Sequence, residues 1–198
     1  MEISSDLRVQ FGEIDIYLFD QLLRGRFDAR PRILDAGSGS GRNLPFFLHH
    51  GFHVAAIDGE AAAVAAIKQL VPGAVQGELD ALPWDDGTFD AVICSAVLHF
   101  ARDDDHFEAM LDGAWRVLCP GGIFFSRLAS SIGMEQRMRP VDGRRCLLPD
   151  GSERYLVDEA VLLEHTRRLG GALLDPIKTT IVQDQRCMTT WVMRKGVS

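Results

Sequence analysis

The chain has 198 residues, of which 46% are hydrophobic and 25% charged, a balance that excludes a disordered, collagenous or coiled-coil chain and fits one domain. Acidic residues outnumber basic ones, 28 to 21, for a formal net charge of -7, which argues against a general nucleic-acid or membrane-surface binder. Cys94, Cys119, Cys146 and Cys187 are scattered with no zinc-ligand spacing, and no apolar run reaches the ~18 residues of a membrane span. The first residues show neither the basic nor the apolar region of a secretory signal. The expectation is a cytoplasmic protein with free thiols and no metal.

In chain order, residues 14–23, or about 12–24 at the outer bounds, predict an amphipathic helix. Arg32-Ile33-Leu34-Asp35 predicts a buried strand, followed by a glycine loop and a helix near 43–50. Residues 53–58 predict the second strand, and the alanine-rich stretch 60–70 a helix stopped by Pro72-Gly73. A weak strand at 74–76 precedes a stronger one at 89–94 and a helix over 105–118. Pro120-Gly121-Gly122 then turns the chain into a strand at 123–126. Strands and helices alternating in this way predict a parallel sheet covered on both faces. From about 130 to 156 the chain is polar and rich in arginine and turn residues, without periodicity. A helix over 157–169 and strands at 178–182 and 187–194 follow. The organisation is one domain over 1–198 with a substrate-side insertion, not two domains.

The most informative stretch is Ile33-Leu34-Asp35-Ala36-Gly37-Ser38-Gly39-Ser40-Gly41-Arg42-Asn43. A strand entering Gly-x-Gly-x-Gly before a helix lets backbone approach a ligand without interference from a Cβ. Asp58 follows 21 residues after Gly37 at the end of the next strand, where a carboxylate accepts from both ribose hydroxyls of an adenosine-type ligand. A dinucleotide site takes Gly-x-Gly-x-x-Gly. Here the third glycine comes one position early and the acidic Asp35 precedes the loop. An acid there repels a pyrophosphate and suits an ammonium or sulfonium, so the spacing favours S-adenosylmethionine over NAD.

Five segments in order resemble the class I S-adenosylmethionine-dependent methyltransferases. They are Leu34-Asp35-Ala36-Gly37-Ser38-Gly39-Ser40-Gly41, Ala56-Ile57-Asp58, Glu78-Leu79-Asp80-Ala81-Leu82-Pro83-Trp84, Phe89 to His99, and Arg116-Val117-Leu118-Cys119-Pro120-Gly121-Gly122. The resemblance implies a Rossmann-like α/β/α sandwich whose seven-stranded, mostly parallel sheet has an antiparallel last strand. It also implies Gly37, Ser38 and Gly39 beside the methionine part of the cofactor, Asp35 near its ammonium, and Asp58 on the ribose. Gly59 would leave room for the adenine edge, and Glu78, Leu79 and Asp80 would meet the adenine. Glu78 and Asp80 both align with the acid that accepts from its amino group. Ser95 would sit at the mouth of the site. Between Asp35 and Asp58 the chain further resembles the tellurite-resistance (TehB-like) branch.

Methyl transfer from a sulfonium is a direct displacement that rests on alignment and exclusion of water. A base helps only where the acceptor carries a proton. His99, just after the fourth strand, is the candidate base; its alternative is a histidine that packs the start of a helix. Arg137 and Arg139 in the insertion are candidates for clamping an anionic acceptor; their alternative is a solvated loop balanced by nearby acids. After the fourth strand, Cys94-Ser95-Ala96-Val97 stands where nucleic-acid amino-methyltransferases carry Asn/Asp-Pro-Pro-aromatic and cytosine-C5 enzymes a Pro-Cys. The expected acceptor is therefore a small molecule, with no nucleic acid or membrane partner. The alternatives are an S-adenosylmethionine-binding regulator or subunit without catalysis, and an NAD-dependent oxidoreductase.

Overall fold

The structure, a computed structural model, describes residues 3–197. The chain runs α1 (Ile3–Phe11), α2 (Ile16–Leu23), β1 (Arg32–Ala36), α3 (Leu44–His49), β2 (His53–Asp58), α4 (Ala61–Ile67), β3 (Val75–Gln76) and β4 (Phe89–Ser95). It continues through α5 (Asp104–Val117), β5 (Leu118–Ala129), β6 (Arg139–Asp142), β7 (Arg145–Leu147), β8 (Glu153–Tyr155), α6 (Glu159–Arg168), β9 (Gly171–Leu173), β10 (Lys178–Val182) and β11 (Arg186–Lys195).

Alternation along the strands builds the layers. Leu34, Val92 and Phe124 pack with Phe107 and Leu111 of α5 and Leu162 of α6. Their chain neighbours Ile33, Ile93 and Phe125 pack with Leu18 of α2 and Phe47 of α3. A period of two in the central strands thus places helices on both faces, giving three layers. The strand order is β10-β11-β5-β4-β1-β2-β3, with β11 antiparallel to both neighbours and the other pairs along this path parallel. This is the expected Rossmann-like sandwich. β9 adds an eighth strand by pairing with the end of β11, beyond the stretch that β10 covers. From β1 the chain moves to β2 on one side, and from β4 to β5 on the other. A crevice therefore opens at the C-terminal ends of β1 and β4.

Three local features differ from expectation. Pro120-Gly121-Gly122 lies inside β5 as a bulge: Phe89 pairs with Leu118, but Ala91 already pairs with Ile123. A polar helix, α1, precedes the expected one and is held by Phe11 against Phe19 and Phe46, at centroid distances of 4.9 and 5.7 Å. The stretch expected to lack order carries the antiparallel sheet β6-β7-β8. Its strands are three or four residues long and mostly polar, too short for alternation to register. It is anchored by Leu148 and Leu156 against Ala129, and by Tyr155 stacked on Phe107.

Gly113 of α5 lets the helix close on a 3-10 turn at Leu79–Ala81; a Cβ there would lie 2.1 Å from the Leu79 carbonyl oxygen. Among the described residues, no helix is long and apolar enough to cross a membrane.

Candidate functional site

The glycine loop is pinned from below. Ile57 O accepts from the N–H groups of Gly37 and Ser38 at 2.8 and 3.1 Å, and Gly41 N–H donates to Ser38 O. Gly39 N–H donates to Asp58 Oδ2 at 2.8 Å, and Glu60 N–H to Asp58 Oδ1 at 2.9 Å. Four loop N–H groups are thus spent inside the protein, which leaves them unable to form a pyrophosphate cradle. Each Asp58 oxygen keeps a lone pair for a ligand hydroxyl. Gly37 has φ +76°, and a Cβ there would lie 2.2 Å from Val97 Cγ2. At Gly39 (φ +52°) a Cβ would meet nothing within 4 Å, because the loop faces open space.

That space is a cavity of about 1080 Å³, at the top of the ~300–1,000 Å³ range of ligand pockets. Its two ends differ in charge. At one end Gly37, Ser38, Gly39, Asp58, Gly59, Glu78 and Leu79 line it. Glu78 packs against Gly59, where a Cβ would come within 2.8 Å of its Oε1. Asp80 is not among the lining residues and faces His106 instead, with Oδ2 and Nε2 3.7 Å apart. Of the two aligned acids, Glu78 is therefore the one that borders the cavity.

Asp35 lies beneath the loop, 1% exposed and not itself among the residues that line the cavity, and neither of its carboxylate oxygens has a hydrogen-bond partner among the described residues. Burial pushes its pKa up to about 7; Arg42 and Asn43 oppose the rise and the charge of Asp58 adds to it.

A further acid, unmarked by any sequence pattern, organises the middle of the site. Asp15 caps α2 by accepting from Tyr17 N–H, and its Oδ2 accepts from Arg42 Nη2 at 3.1 Å, Arg127 Nη1 at 3.2 Å and Ser95 Oγ at 3.2 Å. Its own N–H donates to Asn43 Oδ1. One buried carboxylate thereby ties the N-terminal helix to the glycine loop and to the ends of β4 and β5. Ser95 reaches the cavity, as expected, as a member of this cluster.

The other end of the cavity is lined by His99, Phe100, Arg127, Leu148, Arg154 and Met188, with Asp150 and Arg186 at its rim. Two expectations are corrected here. His99 is buried and its Nδ1 accepts from Ala129 N–H at 3.1 Å, so the proton of the neutral ring is on Nε2. Burial, with Arg154 and Arg127 adding, pushes its pKa down to about 3. The ring presents a donor and not a base. Arg137 and Arg139 do not reach the cavity: Arg137 pairs with Asp184 at 2.9 Å on the surface, and Arg139 is exposed on β6. The arginines that line the cavity are Arg42, Arg127, Arg154 and Arg186, and of these Arg127 and Arg154 stand beside His99 and Phe100. An arginine inside the apolar run Ile123-Phe124-Phe125-Ser126-Arg127-Leu128 was a readable signal; Arg154 had none.

A family model described as "Methyltransferase domain" matches residues 34–126. A protein of Synechocystis sp. named "Uncharacterized methyltransferase sll0829" is 35% identical over 95 residues, covering 47% of this chain and 44% of that protein. Among solved structures, a SAM-dependent methyltransferase of Methanosarcina mazei aligns with TM-score 0.76 at 16% identity over 89% of this chain and 98% of its own. Residues 34–126 thus match a methyltransferase domain, and the chain shares the fold of S-adenosylmethionine-dependent methyltransferases. The 1,6-didemethyltoxoflavin-N1-methyltransferase of Burkholderia thailandensis shares this methyltransferase fold, with TM-score 0.69 at 22% identity over 98% of this chain and 83% of its own. The chain spans about half the length of the curated relatives it matches.

The residues present fit the cofactor of the class. An orphaned buried carboxylate at Asp35 suits an ammonium, the free lone pairs of Asp58 suit ribose hydroxyls, and Glu78 beside Gly59 suits an adenine amino group. The acidic end as a whole suits a ligand with positive charge.

Proposed function

We propose that the chain transfers the methyl group of S-adenosylmethionine to a small-molecule acceptor. The observation that carries this reading is the two-ended cavity: an acidic end built on the glycine loop, continuous with a separate end lined by aromatic, aliphatic and guanidinium groups. Bound S-adenosylmethionine supplies an electrophilic methyl on a sulfonium. Asp35, Asp58 and Glu78 would hold and orient it, and Asp15 ties α2 to the glycine loop through Arg42 and to β5 through Arg127. The apolar and guanidinium lining of the second end suits a small acceptor. The Burkholderia methyltransferase holds 1,6-didemethyltoxoflavin and S-adenosylhomocysteine together, which supports the same division of labour here.

Incubation with methyl-labelled S-adenosylmethionine and a small-molecule extract tests the proposal. Label is expected in a low-mass product from the native protein and not from Asp58→Ala. Label confined to a protein or nucleic-acid fraction refutes the small acceptor. Binding without transfer to any fraction favours the non-catalytic reading.

A further inference from the structure

The acceptor end of the cavity holds an excess of positive charge. Arg154 donates to the Glu153 carbonyl at 2.7 Å and lies over the Phe100 ring at 4.8 Å, a neutral acceptor and an aromatic face. Arg127 shares the single carboxylate of Asp15 with Arg42, and its buried Nε has no hydrogen-bond partner among the described residues. The one acid at this end, Asp150, accepts from Ser152 and lies 4.0 Å from Arg186. Leu148, Met188 and Phe100 supply apolar walls.

The same end offers no strong base. His99 gives its free nitrogen as a donor, and Asp150 is held below the usual carboxylate range by Ser152, Arg186 and Arg154. His106 lies by Leu79 at the opposite end; its Nδ1 accepts from Arg102 N–H and its Nε2 faces Asp80. Arg127, Arg154 and Arg186 stay protonated. An acceptor that must lose a proton to react therefore finds there only the weakly basic Asp150 carboxylate to take it. A carboxylate acceptor needs no base.

We propose that the acceptor is an organic carboxylate, gripped by Arg154 and Arg127 with the His99 Nε2–H as a further donor, and methylated on its own ionised oxygen. Guanidinium groups match a carboxylate by forked hydrogen bonds, and the apolar walls take its carbon skeleton. The oxygen's electron pair forms the new C–O bond while the pair of the broken C–S bond stays on sulfur. The two charges cancel, no proton moves, and the product is a methyl ester. The inference rests on the methyltransferase reading.

Calorimetry on the full chain separates the two. S-adenosylhomocysteine is titrated first; failure to bind defeats the methyltransferase reading itself. The loaded protein is then titrated with benzoate, salicylate and hexanoate, each beside its amide. At least one acid is expected to bind tenfold or more tightly than its amide. Arg154→Gln is expected to abolish that preference while S-adenosylhomocysteine affinity stays within twofold, which also shows that the variant folds. Arg186→Gln, at the rim, lowers the preference less. With S-adenosylmethionine, any acid that binds yields its methyl ester, detected by mass. Acid and amide binding alike, no acid binding to the loaded protein, a preference unmoved by Arg154→Gln, or no ester from an acid that binds each overturns the proposal.

Discussion

Asp35→Asn probes the cofactor end most sharply, because the carboxylate is buried without a partner until a cation arrives. Its native pKa of about 7 stands above the 3.8 of an exposed aspartate, so the folded state holds the proton more tightly than the unfolded one. Stability falls as pH rises from about 4 to about 7, by ~4 kcal/mol in all at ~1.4 kcal/mol per pH unit. Replacing the acid by its amide removes that loss but leaves buried amide donors short of partners, at ~1–3 kcal/mol. The ligand-free variant is therefore expected to be ~1–3 kcal/mol more stable than the native protein at pH 8, and equal to it or weaker at pH 4.5. Urea denaturation at the two pH values measures this. S-adenosylhomocysteine affinity at pH 8 is expected to fall tenfold or more, since the ammonium loses its counter-ion. A variant that is destabilised equally at both pH values, or that binds ligand unchanged, refutes the reasoning.

Gly37→Ala places a Cβ against Val97 in the left-handed region and should cost ~2–4 kcal/mol in urea denaturation. Gly39→Ala, with open space around it, should cost only ~1–2 kcal/mol from its backbone and act mainly on ligand affinity, read by calorimetry. Asp15→Ala removes the shared partner of Arg42, Arg127 and Ser95 and the cap of α2. It should lower stability by ~2–4 kcal/mol, less than a fully buried pair because Arg42 is partly exposed, and it should loosen ligand binding. The double variant Arg137→Gln, Arg139→Gln should leave both ligand affinity and stability within error, because neither side chain reaches the cavity.

What the sequence made legible follows from distance along the chain. The glycine loop and Asp58 are two ends of one strand-loop-helix-strand unit, so their spacing alone placed both on the cavity. The central strands were readable because Ile33, Leu34, Val92 and Ile93 alternate between two packed faces. Asp15 was hidden because its partners lie 27, 80 and 112 residues away, and nothing local distinguishes it from an ordinary helix cap. Arg154 reaches the site only because a sheet of three short strands packs against Ala129 at the end of β5 and Phe107 of α5, a sheet without alternation to announce it. His99 was located but misjudged: a backbone N–H thirty residues on, at Ala129, sets which of its nitrogens carries the proton. Between Glu78 and Asp80 the decision fell to a 3-10 turn that sends one acid to the cavity and the other toward His106.

The central claim is that the glycine-loop end of the cavity is a site for a positively charged adenosyl ligand and not for a dinucleotide. Calorimetry of the native protein with S-adenosylhomocysteine and, separately, with NAD tests it most directly. The account predicts one S-adenosylhomocysteine per chain and no heat from NAD; NAD binding without S-adenosylhomocysteine would contradict it.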